Sequence, residues 1–99
     1  MFGNMSKILG QLQGLQQQLK ELTVEATAGD GLVRVIMNGQ QQVLAVRFDP
    51  DRINATAPEE LGQMLAEAYR QAQQASKTKA RDEFSKATGL NIANLPGIF

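Results

Sequence analysis

The chain has 99 residues, 42% of them hydrophobic, with ten basic residues balanced by ten acidic ones and no cysteine or histidine. This is the size of one small domain, and the composition removes disulfides, thiolate chemistry, the usual zinc ligands and the commonest general base. No apolar run approaches the roughly 20 residues of a membrane span, the opening Met1-Phe2-Gly3-Asn4 does not start a signal peptide, and a cysteine-free chain suits the cytoplasm.

The first element is a helix over about residues 5–22. Its apolar residues fall at Met5, Ile8, Leu12, Leu15, Leu19 and Leu22, a heptad seam that Leu9 widens. Glutamines dominate its other faces, and Gly10 and Gly14 each weaken it by up to ~1 kcal/mol. A strand follows over about 22–28, with Val24, Ala26 and Ala28 alternating against Thr23, Glu25 and Thr27, and Gly29-Asp30-Gly31 turns the chain. Whether that turn contains a bulge decides which face Val24 joins.

Residues 31–50 are the organising stretch: strands over about 32–38 and 41–48 flank Asn38-Gly39, the pair that suits a type I′ hairpin turn. If Val33, Val35 and Met37 point one way, Leu32, Arg34 and Ile36 point the other, and neither face is polar throughout. One face suits a helix. The other, with Leu32, Arg34, Ile36, Val43 and Ala45, is the candidate surface for a second subunit.

Asp49-Pro50-Asp51 ends the sheet and reads as a turn, because a metal or acid–base role for its carboxylates needs further ligands or a polarised substrate. Gly29-x-Gly31 leads into a strand and is too short to cradle phosphate. No histidine is present to activate a serine or threonine, so the chain reads as a non-enzyme without cofactors. Thr56 and Glu59 have the spacing of a capping box, with Pro58 in the first turn of a helix or helices over about 57–88. The stripe Leu61, Met64, Leu65, Ala68, Tyr69, Ala72, Ala75 fails beyond Ser76 and restarts at Ala80, Phe84, Ala87, which predicts a kink or a junction near 76–79. Thr88-Gly89 suits a stop, and residues 89–99 form a tail with apolar hooks at Leu95, Ile98 and Phe99.

The zero net charge conceals a polarity. Residues 68–88 hold Arg70, Lys77, Lys79, Arg81 and Lys86 against Asp82 and Glu83, a local +3; residues 49–67 hold Arg52 against five carboxylates, a local −4. The basic run is either a solvated helix face or a phosphate-contacting one, and the residues alone leave both open.

In this order and spacing, the elements resemble the YbaB/EbfC family of small nucleoid-associated proteins. The resemblance rests on Met1-Phe2-Gly3, the Gln- and Leu-rich first helix, Gly31-Leu32-Val33-x-Val35 with Asn38-Gly39, and Val46-x-Phe48-Asp49-Pro50. It continues through Glu60-Leu61, Ala68-Tyr69-x-x-Ala72, Gly89 and Leu95-Pro96-Gly97. Arg70-Gln71 stands where family members commonly carry Asn-Asp. The resemblance implies a single α+β domain over residues 1–99, with an N-terminal helix, a three-stranded antiparallel sheet and a C-terminal helix, assembled as a tweezer-like homodimer. It implies a cytoplasmic, nucleoid-associated protein that binds double-stranded DNA with loose sequence preference and modulates transcription. The family attributes DNA binding to its first and last helices, which here maps by element onto Lys7, Gln11, Gln18 and Lys20, and onto Lys77, Lys79, Arg81 and Lys86. The alternative is a protein-interaction or targeting module on the same scaffold.

Overall fold

The computed structural model describes the backbone of residues 2–88 and the side chains of residues 6, 7 and 9–87. Helix α1 spans Phe2–Glu21, strands β1, β2 and β3 span Thr23–Ala28, Val33–Asn38 and Val43–Phe48, and helix α2 spans Pro58–Thr88 after a short 3-10 turn at Ile53–Ala55. The sheet is antiparallel in the order β1-β2-β3. The tail hooks Leu95, Ile98 and Phe99, the stop at Gly89, and the side chains of Met5 and Ile8 lie outside the described residues.

The β1–β2 pairing is regular from Thr23 opposite Asn38 to Ala28 opposite Val33, so no bulge intervenes and Val24 joins the face of Val35 and Met37. The connecting turn has positive φ at Gly29, Asp30 and Gly31. The Arg52 guanidinium clasps it, donating to the carbonyls of Gly29 and Asp30 at 2.9 and 2.8 Å.

The β2–β3 hairpin departs from the expected type I′ turn. Positive φ occurs at Gln41, not at Asn38 or Gly39. Gln41 N–H donates to the Asn38 carbonyl, and Asn38 N–H donates to the Gln42 carbonyl. The loop thus has three residues and ends in a left-handed one, and β3 starts at Val43 instead of 41. The asparagine acts through its side chain: its Oδ1 accepts the N–H groups of Gln40 and Gln42, each at 3.0 Å. Gly39 is needed for closeness. Its N–H donates to the carbonyls of Leu19 and Leu22 at 2.7 and 3.0 Å, and a Cβ there would lie 2.7 Å from the Leu19 oxygen. The turn therefore satisfies a carbonyl that the end of α1 leaves orphaned.

α2 lies across β1 and β2. Ala68 and Ala72, one turn apart and fully buried, let it approach a core of Val24, Ala26, Leu32, Val33, Val35 and Met37. A second cluster joins Leu15 and Leu19 of α1 to Ala80 and Phe84. No junction divides α2, which is a single helix of 31 residues. Ala68, Ala72, Ser76, Ala80 and Phe84 form one unbroken stripe at four-residue spacing. It drifts about 40° per step, so its upper half meets the sheet and its lower half meets α1. Ser76 looked like a gap because it is polar. It is fully buried, and its hydroxyl donates to the Asn38 carbonyl at 2.8 Å.

The capping box does not form. Thr56 Oγ1 donates back to the Arg52 carbonyl, the Ala57 carbonyl accepts the N–H of Leu61, and Pro58 takes the first helical position. Asp49 behaves as a turn residue, its Oδ1 accepting the N–H of Asp51 at 2.9 Å.

Gly39→Ala drives a methyl into backbone and should cost about 1–3 kcal/mol in urea unfolding, whereas Ser76→Ala loses one hydrogen bond and should cost about 1 kcal/mol. Gly10 and Gly14 meet nothing within 4 Å, so Gly10→Ala and Gly14→Ala should each stabilise the chain by up to ~1 kcal/mol in the same assay.

Candidate nucleic-acid interface

The second cluster makes α1 and the distal half of α2 an antiparallel pair. Leu19 sits near the hairpin turn with Ser76 and Ala80 beside it, and Leu15 lies further along toward Phe84. Every candidate cation lies on this pair, with its side chain wholly or partly exposed.

At about 100° per residue, the eight candidate positions do not form one stripe. On α2, Lys77 and Arg81 fall on one flank of the buried line, while Lys79 and Lys86 fall on the other. The two flanks differ in their neighbours. Lys86 Nζ lies 3.7 Å from Glu83 Oε1, so that flank is partly neutralised. The Lys77–Arg81 flank continues through Gln74 to Arg70, giving Arg70, Gln74, Lys77 and Arg81 over about 16 Å of helix. Lys77 and Arg81 make no ion pair among the described residues. Arg70 is engaged: Glu67 accepts from Gln71 Nε2 at 3.0 Å and from Arg70 Nη2 at 2.9 Å, and these contacts hold the Glu67 carboxyl below its ordinary pKa. On α1, exposed Lys7, Gln11 and Gln18 share a flank, and Lys20 lies on the opposite one. Gln74 was absent from the sequence-based set; its signal is the spacing of three from Lys77 and seven from Arg81.

The candidate subunit interface is rearranged more deeply. Leu32 does not lie on an open face, because its side chain is in the chain's own core at 1% exposure. The sheet face opposite α2 is polar, carrying Thr23, Glu25, Thr27, Arg34 and Arg47 around half-buried Ile36 and Ala45. Arg34 Nε lies 2.7 Å from Glu25 Oε1. The apolar surface left uncovered is on the other side, along the outer strand. Val43, Val46 and Phe48 of β3, paired with Met37, Val35 and Val33, are 44%, 39% and 37% exposed, and Tyr69 of α2 is 39% exposed; Leu44, in the same strand, is 52% exposed. Between Val46 and Tyr69 runs a groove of about 560 Å³, floored by Val35 and walled by Gly62, Leu65 and Ala66. A shift of register between Ile36 and Met37 leaves Leu44 unpaired in this strand.

Among the described residues no helix is long and apolar enough to cross a membrane. The model of the YbaB/EbfC DNA-binding family matches residues 1–91. A nucleoid-associated protein of Pelotomaculum thermopropionicum is 35% identical, covering 100% of this chain and 99% of the relative. One from Moorella thermoacetica is 37% identical over 96% of each. The crystal structure of an uncharacterized Helicobacter pylori protein, HP0035, superposes with a TM-score of 0.73 at 17% identity, covering 85% of this chain and 88% of the other.

Proposed function

The chain belongs to the YbaB/EbfC DNA-binding family, and we propose that it acts as a nucleoid-located homodimer gripping duplex DNA by its phosphate backbone. The observation that carries this reading is that Lys77 and Arg81 share one flank and make no ion pair among the described residues, on a helical pair that leaves the outer strand uncovered. A lysine ammonium and an arginine fork bind phosphate oxygens without reading base edges, which suits loose sequence preference and an organising influence on the nucleoid and on transcription. Lys7, Gln11 and Gln18 on α1 supply further donors, and Lys20, Lys79 and Lys86 contribute at longer range.

The second copy seats on the outer strand. An edge strand that is apolar on its uncovered face is an aggregation hazard unless something pairs with it or covers it, and the groove at Tyr69 continues that surface onto α2. A twofold contact there buries Val46, Phe48 and Tyr69 of each copy and sets the two helical pairs on a common frame. Each arm alone offers few phosphate contacts. Two arms double the number of counterions released, and affinity rises with that number.

Two measurements test the reading. In gel shifts with random duplex, four engaged phosphates per dimer give a log–log salt slope of about −3.6, so affinity falls roughly 150-fold between 50 and 200 mM salt. Lys77→Ala/Arg81→Ala should flatten that slope far more than Lys79→Ala/Lys86→Ala, and equally on unrelated sequences; a salt-independent affinity overturns the backbone mechanism. In sedimentation, the chain should run at twice its own mass, and Tyr69→Glu should shift it toward the monomer while leaving its circular dichroism unchanged. A parent chain that sediments at its own mass at working concentration overturns the dimer.

A further inference from the structure

The open face of the sheet, which the DNA reading does not use, holds a second cationic arrangement. Thr27, Arg34 and Arg47 are register partners across all three strands, Thr27 opposite Arg34 and Arg34 opposite Arg47. They form one row on one face, with neighbouring Cβ atoms about 5 Å apart. Two arginines so placed repel one another. Glu25, on the diagonal, relieves only half of this by taking Arg34 Nε at 2.7 Å. The terminal N–H groups of Arg34 and the whole fork of Arg47 make no hydrogen bond or ion pair among the described residues. Beside them is a depression of about 320 Å³, lined by Gly31, Arg34, Arg47, Phe48, Asp49 and Pro50.

We infer that this row is a binding site for one phosphoryl group of a small phosphorylated molecule. Guanidinium forks match phosphate oxygens with paired hydrogen bonds, adjacent places in one cross-strand row bring both within reach of a single phosphoryl group, and the Thr27 hydroxyl adds a donor at the end of the row. The surroundings select against a polyanion. Asp49 lines the depression and Glu25 holds Arg34 Nε, so an extended nucleic-acid backbone crossing this face meets both carboxylates. A single phosphoryl group covers less of the face, and the Arg34 and Arg47 charges beside it offset that repulsion.

The test is an amide NMR titration of the full chain with inorganic phosphate at constant ionic strength. Saturable shifts are expected at Gly31, Arg34, Arg47 and Asp49, with apparent affinity falling at least about tenfold in Arg47→Ala and less in Arg47→Lys, which keeps the charge but not the fork. Arg47 is exposed, so the rest of the Arg47→Ala spectrum should match the parent chain, and its duplex binding in gel shifts should be unchanged. Shifts that do not saturate, or that persist in Arg47→Ala, overturn the site. So does a duplex titration that moves these sheet amides when phosphate does not, since the ligand is then the DNA backbone. Failure of duplex binding by the parent chain leaves this site standing and removes only the helical reading.

Discussion

The structure depends on a buried polar junction at Asn38. This residue is 1% exposed, and an unpaired amide at that depth costs about 1–3 kcal/mol. Here each group is used. The side chain holds the turn through Gln40 and Gln42, and the carbonyl takes both the Gln41 N–H and the Ser76 hydroxyl. The next residue, Gly39, reaches the Leu19 carbonyl. Three elements are thereby fixed at one point: the end of α1, the tip of the hairpin and the middle of α2. Apolar packing alone is permissive about register. Directional hydrogen bonds to the Asn38 and Leu19 carbonyls are not.

That junction explains why α2 can serve two partners without breaking. A stripe at four-residue spacing drifts around a helix, and a drifting stripe suits a helix whose neighbour changes along its length. Up to Ala72 the neighbour is the sheet; from Ala80 it is α1. Ser76 lies at the handover, where the facing surface is a turn whose carbonyls need donors. A larger apolar residue would bury more area there but would leave the second lone pair of Asn38 unmet.

Much of this was legible in the residues. Alternation and turn chemistry placed the three strands, and the leucine seam placed α1. The misreadings share a cause: each assigned a polar or flexible residue its commonest local role, and tertiary contacts gave it another. Asn38-Gly39 marks a turn, but its glycine serves close approach to Leu19 and not positive φ. Thr56 has capping spacing, yet its hydroxyl turns back to Arg52. Leu32 alternates onto the outer face on paper; it precedes β2, where strand alternation no longer applies, and it is buried. The candidate cations were identifiable by element, but their division into two flanks needed the buried line of α2. Until Ser76 is known to be core, that line cannot be drawn through residues 76–79.

The same geometry bears on how a chain of zero net charge would hold a polyanion, as proposed. Long-range attraction scales with total charge and is weak here, so affinity must come from contacts within about a Debye length, roughly 8–10 Å in physiological salt. Carboxylates within that distance subtract from each cation. Glu83 does so for Lys86, and Glu67 does so for Arg70. Lys77 and Arg81 are less affected: neither makes an ion pair among the described residues, and their neighbours one turn away on that flank are Gln74 and Ser85, which are neutral and can donate. The flank matters more than the count of basic residues: a helix with four cations spread around its circumference presents two at most to one phosphate strand. In the proposed dimer a second copy would add contacts by doubling the favourable flank, without the self-repulsion that more lysines on one helix would bring.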